Sequence, residues 1–137
     1  LSILSKMLSG KIPFVPKTAF PMVDVRDVAQ LHVKALENKT AAGQRFIVSG
    51  SDPVSFVDAA TILIEAGYKG PSTKIAPAWL LNIMALFDRE AKGMLGILGM
   101  HLKADNLATI ETFKWSPIPF KKSLIDSALA VKKIEAR

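Results

Sequence analysis

The sequence has no cysteine among its 137 residues. That absence removes disulfides, thiolate catalysis and cysteine-ligated metal, and it fits a reducing, cytoplasmic setting. Long apolar runs are missing too: the longest uncharged stretch, Ile75 to Phe87, falls well short of the ~20 residues a bilayer requires. No membrane span is expected. The opening LSILSKMLSGKIPF is a poor signal peptide, because Lys6 interrupts its apolar run and no small-x-small cleavage site follows. Leu rather than Met comes first, as expected of a processed chain or a piece of a longer polypeptide.

Groups that do chemistry are scarce. Only His32 and His101 supply imidazole, neither stands among carboxylates at ligand spacing, and zinc wants three or four ligands. His32 reads as a helical histidine. No serine lies in a G-x-S-x-G elbow or beside a base, and Ser55 reads as a helix cap. Tyr68 is the single tyrosine, four residues ahead of Ser72 rather than a lysine, and it follows the helix-ending Gly67, where an aromatic packs back on the last turn.

Acidic charge is in deficit: 18 basic residues against 12 acidic give a net +6. Such a balance raises nucleic acid as a partner. The local concentrations, Lys121–Lys122 and Lys132–Lys133–Arg137, lie beside Leu124, Ile125, Ala128, Val131 and Ile134 at helical spacing, which makes them the solvated face of a terminal helix. No nucleic-acid partner is expected.

Apolar residues, by contrast, are abundant, at half of the chain and a mean hydropathy of +0.28. For one domain's length that implies either a well-filled core or apolar surface covered by something outside the chain. Within PMVDVRDVAQLHVKAL, residues 21–36, the hydrophobic period changes from two to 3.6: Met22 to Val25 suit a short strand, and a helix follows from Val28. Asp27 is its expected N-cap, with Gln30 at the capping-box position; Asp24 is explained by solvent or a turn, and Arg26 is expected to face solvent.

Elsewhere the spacing predicts a helix ending near residue 9 at Gly10, a short buried strand over Arg45–Val48, and a capped helix from Ser55-Phe-Val-Asp58 to Gly67. Lys74–Ala76 reads as a brief strand ahead of a helix that starts at Pro77, carries Leu80, Ile83, Met84 and Phe87, and ends near Lys92. Met100–Lys103 is a further extended piece, Asp105 or Asn106 caps a helix through Phe113, Trp115–Pro119 is a rigid connector, and a last helix closes the chain. Gly93, Gly96 and Gly99 have the spacing of a phosphate-cradling loop, but charged, helix-like residues precede Gly93 where that mechanism needs a buried strand. The stretch reads instead as a flexible break. No internal repeat or low-complexity segment is present.

Three motifs in register, Met22-Val-Asp-Val-Arg-Asp-Val-Ala29 with His32, Gly43-Gln-Arg-Phe-Ile-Val-Ser49, and Phe113-Lys-Trp115-Ser-Pro-Ile-Pro119 before a final helix, resemble the C-terminal lobe of extended short-chain dehydrogenases/reductases. These form the NAD-dependent epimerase/dehydratase family, and the dihydroflavonol reductase-like subgroup is the most similar. The resemblance implies an α+β lobe, mostly helical with a few short strands, spanning residues 1–137 as one substrate-binding unit whose Rossmann domain is missing. In that family NAD or NADP sits in the Rossmann domain, whose glycines and Tyr-x-x-x-Lys pair have no match here. The implied chain alone therefore binds no cofactor and contains no catalytic residue.

By the same resemblance, Phe20, Pro21 and Met22 line the substrate cleft, suited to a small apolar or aromatic carbonyl compound. Related sugar-nucleotide epimerases often place an arginine near the position of Phe20, and its absence favours a reductase-like parent. Arg45–Val48 would join the edge of the Rossmann sheet, leaving apolar surface open to self-association in an isolated lobe. A stand-alone protein-binding or regulatory module derived from the lobe is the alternative.

Overall fold

A computed structural model describes residues 3–77, 79, 80, 83, 86 and 99–135. Among the described residues helix dominates, beside a small two-stranded sheet. The elements are α1 (Ile3–Leu8), β1 (Ala19–Pro21), α2 (Val25–Glu37), β2 (Pro53–Ser55), α3 (Phe56–Glu65), α4 (Leu107–Phe113) and α5 (Phe120–Glu135), with a 3-10 turn at Lys39–Ala41. No helix among the described residues is long and apolar enough to cross a membrane.

Two apolar clusters hold the chain. In the first, Met7 and Leu8 of α1, Ala59, Ala60 and Leu63 of α3, and Ala128 of α5 are buried, with Phe56, Tyr68, Phe120 and Leu124 packed around them. Small residues at Ala59, Ala60 and Ala128 let the three helices approach closely. The capping box of α3 forms as the sequence indicates: Asp58 N donates to Ser55 Oγ at 3.0 Å, and Ser55 N donates to Asp58 Oδ2 at 2.9 Å. Gly67 then turns the chain at a φ of +91°. Tyr68 packs back on this cluster, with Lys132 Nζ 5.6 Å from its ring centroid.

Gly70 permits the junction between this cluster and the end of α1, because a Cβ there would lie 2.1 Å from the Leu8 carbonyl oxygen.

The second cluster joins α2 to α4. Leu31, Phe113 and Trp115 are buried there, with Val23, Phe46, Val48 and Ile110 against them, and Phe46 meets Phe113 edge-on at 4.7 Å between centroids.

Three expectations fail in this region. The strand lies at Ala19–Pro21 rather than Met22–Val25, and helix α2 begins at Val25, which is exposed. Its N-cap is Asp24, not Asp27: Asp24 Oδ1 accepts from Arg26 N at 2.8 Å, and Asp24 O accepts from Val28 N. Two aspartates three residues apart are equivalent caps by residue type, and what separates them is that the carboxylate of the second is taken by Trp115 Nε1 and Ile118 N. Arg45–Val48 is not a strand. Phe46 and Val48 turn inward and the Ile47 carbonyl accepts the Thr109 hydroxyl at 2.7 Å, so the segment is anchored by side chains where the described residues give it no strand partner.

The other extended pieces exist as bridges. Val15 pairs in parallel with Ile75, and Ala19 with His101. Trp79, Leu80, Ile83 and Leu86 are helical, while Met84, Phe87, Lys92, Gly93 and Gly96 lie outside the described residues.

Candidate functional site

Residues 19–22 form the middle of a small layered arrangement. β1 pairs antiparallel with β2 in the register Ala19–Ser55, Phe20–Val54 and Pro21–Pro53, and two prolines opposite each other end the ladder because neither has an amide hydrogen. On its other edge, Ala19 N donates to Met100 O at 3.1 Å and Leu102 N to Ala19 O at 3.3 Å. Gly99 delivers this third segment: it turns at a φ of +75°, and its amide donates to Lys17 O at 2.9 Å. The one described glycine of the G-x-x-G-x-x-G spacing thus has its N–H occupied within the sheet.

Side chains alternate along extended chain, and cross-strand partners share a face. With Ala19 paired to His101, the flanking residues Phe20, Met100 and Leu102 fall on one face, joined by Val54 opposite Phe20. Phe20 and Val54 are half-buried, whereas Met100 and Leu102 remain 42% and 48% exposed. Met22 follows, 37% exposed. Phe20 and Met22 therefore share this face, with Pro21 between them on the other, and the structure adds Val54, Met100 and Leu102, which are far away in sequence. Nothing in their spacing marks them, since the sequence reading gave Met100–Lys103 an extended form without a partner.

The patch is held from behind. Gly50 N donates to Met22 O at 2.8 Å, and a Cβ on Gly50 would stand 2.7 Å from that oxygen, so only glycine lets the two backbones meet. Asn106 is buried; its amide donates to Ser49 O and its Oδ1 accepts from the Ser51 hydroxyl at 3.3 Å. Its position caps α4, but Asp105 Oδ1 performs the capping by accepting from Leu107 N at 3.1 Å.

Two residues beyond Met22 lies a cluster of charge. Asp24, buried at 5% exposure, accepts from Arg26 Nε at 2.9 Å and Nη2 at 2.7 Å. The Arg26 guanidinium, with help from the Ser123 hydroxyl, holds the Asp24 carboxyl far below the usual carboxylate range. Arg26 Nη2 also reaches Asp126 Oδ2 on α5 at 2.8 Å, and Lys122 Nζ meets the same oxygen at 3.1 Å. Arg26 and Lys122 lower the Asp126 pKa, and Asp24 above all raises that of Arg26. Arg26 is half-exposed, as expected of a residue facing solvent, yet it carries two carboxylates.

Asp27 forms a separate anchor. At 3% exposure its Oδ1 accepts from Trp115 Nε1 at 2.9 Å and its Oδ2 from Ile118 N at 2.8 Å. Trp115–Pro119 is thus fastened to α2 through one carboxylate.

His32 is exposed, its Nδ1 2.7 Å from Val28 O within the helix, and His101 is exposed beside Ala19. Neither joins a cluster: no group of three or more His, Asp or Glu able to hold a metal exists among the described residues. Asp24 at α2 and the Ser55–Asp58 box at α3 place carboxylates where a phosphate would need free amides, so these helix starts do not fit a dinucleotide pyrophosphate.

No protein-family model and no curated protein matches the sequence. Solved structures do. Yeast methylglyoxal/isovaleraldehyde reductase Gre2 in complex with NADPH superposes with a TM-score of 0.70 at 23% identity, over 99% of this chain and 40% of its own. The structure of gox2253 gives a TM-score of 0.72 at 23% identity, over 98% of this chain and 43% of its own. The chain has the fold of part of a larger reductase structure. It spans about two fifths of the length of these neighbours.

Proposed function

We propose that the chain is the substrate-binding lobe of an NAD(P)-dependent oxidoreductase that acts on small apolar carbonyl compounds, with Phe20, Pro21, Met22, Val54, Met100 and Leu102 lining the cleft. The observation that carries this reading is the fit of nearly the whole chain to only 40% of an NADPH-complexed reductase, together with the apolar patch around Phe20. Such a wall desolvates a carbonyl compound and orients its alkyl part, but it offers no proton donor. The nicotinamide would supply hydride. Cofactor and general acid belong to a nucleotide-binding domain, the lobe's proposed partner, since the helix starts of α2 and α3 are filled by aspartates.

The test compares two polypeptides. Titrated with NADPH in a calorimeter, the 137-residue chain gives no saturable heat, and with isovaleraldehyde it consumes none of the cofactor. The lobe joined to a nucleotide-binding domain of the neighbours' kind consumes both. Micromolar NADPH binding by the chain itself would refute this division of labour. The apolar outer face of α2, with Val25, Val33 and Leu36 exposed, favours a second reading as a protein-binding module. A partner that binds this face while the joined polypeptide stays inert would establish that reading.

A further inference from the structure

The loop that carries Met22 is tied at two places, each to a segment distant in sequence. Its carbonyl is held by Gly50 N. The other tie runs through Asp24, which Arg26 grips side-on through Nε and Nη2 while the same Nη2 reaches Asp126, a residue 100 positions away on α5. Lys122 completes the charge around Asp126. A planar fork spanning two carboxylates fixes direction as well as distance, which a lysine could not.

We propose that Arg26 is a positioning residue: by bridging Asp24 to Asp126 it sets the Phe20–Met22 edge of the cleft against helix α5, so that the seating of α5 is read at the substrate wall. The assignment rests on the reading of that edge as substrate-binding, and its consequence for the loop can be measured without a ligand. Arg26 touches no residue of the apolar patch in any hydrogen bond or ion pair; it acts through Asp24. The ties are charge-assisted and partly exposed, so added salt weakens them.

Amide hydrogen exchange on the chain tests this. Arg26→Met, close in length and uncharged, and Asp126→Asn, which leaves the Asp24–Arg26 pair intact, are each expected to raise exchange at Gly50 N about five- to tenfold, while the Leu63 amide in the first cluster is unchanged. In the parent chain, high salt produces the same rise, and in Arg26→Met salt has no further effect. Asp126→Asn is decisive. A helix-capping role for Arg26 alone would loosen Val28 N in Arg26→Met and leave Gly50 untouched in Asp126→Asn, and that result overturns the proposal.

A second arm follows methyl isobutyl ketone, an unreactive apolar carbonyl probe, by the Met22 methyl resonance. Both variants are expected to bind it several-fold more weakly. Equal binding by parent and variants overturns the coupling to the site. Absence of any effect on Met22 in the parent overturns the substrate reading instead, and the Gly50 exchange rates then decide the coupling alone.

Discussion

Asp27 and Trp115 show how much one buried side chain can decide. The carboxylate accepts from a buried indole N–H and a part-buried backbone amide. Removing it leaves a buried indole N–H and a part-buried amide unpaired, a larger penalty than the loss of one exposed hydrogen bond. Asp27→Ala is expected to cost roughly 2–4 kcal/mol in urea unfolding, with Trp115 fluorescence shifting to the red. Trp115→Phe, which removes one donor and leaves the acceptor its second partner, should cost less. A variant Asp27→Ala as stable as the parent would mean that the connector is held by packing alone. The two motifs that contain these residues stand in fixed order along the sequence, but that one grips the other is a fact of the fold.

At the scale of elements, the junction between α2 and α5 is an electrostatic joint, and it has a pH dependence of definite sign. The Asp24 and Asp126 carboxyls, and that of Asp58 beside Ser55, titrate below their ordinary values in the folded state. Depressed carboxylates contribute stability that is present above the unfolded-state pKa of about 3.9 and is lost as pH falls through the folded value. Stability should therefore decline between about pH 5 and pH 2. Asp24→Asn keeps a good N-cap while removing the charge, so the same decline measured by thermal melts becomes shallower in that variant. An unchanged slope would show that Asp24 does not carry the dependence. Most elements were legible from spacing and caps: α1 and its Gly10 stop, the α3 capping box, the α4 helix and α5. The misassignments have one cause. Where Asp24 and Asp27 both suited the cap, and where Arg45–Val48 suited a strand, the local pattern was satisfied by two answers, and the packing of Trp115 and of Phe46 selected between them.

For the molecule as a whole, the distribution of apolar surface is uneven. α2 buries Leu31 inward, yet Val25, Val33 and Leu36 point outward, with Leu36 at 89% exposure. An exposed apolar stripe of this kind favours association. Sedimentation of the chain is expected to show concentration-dependent self-association that Leu36→Lys reduces without changing the melting temperature. A monomer at high concentration, or a variant that associates equally, would remove α2 from the interface.

The sequence by itself determined the helical character, most helix ends and the lack of thiol chemistry, because caps, glycines and absent residue types act over a few positions. It also brought Phe20, Pro21 and Met22 forward, through resemblance alone. Only the tertiary structure decided that Val54, Met100 and Leu102 stand beside Phe20, that Asp24 rather than Asp27 begins α2, and that Arg26 spans to α5. Those outcomes depend on strand register and burial, which are energies of contact between segments 30 to 100 residues apart, and no local pattern contains them.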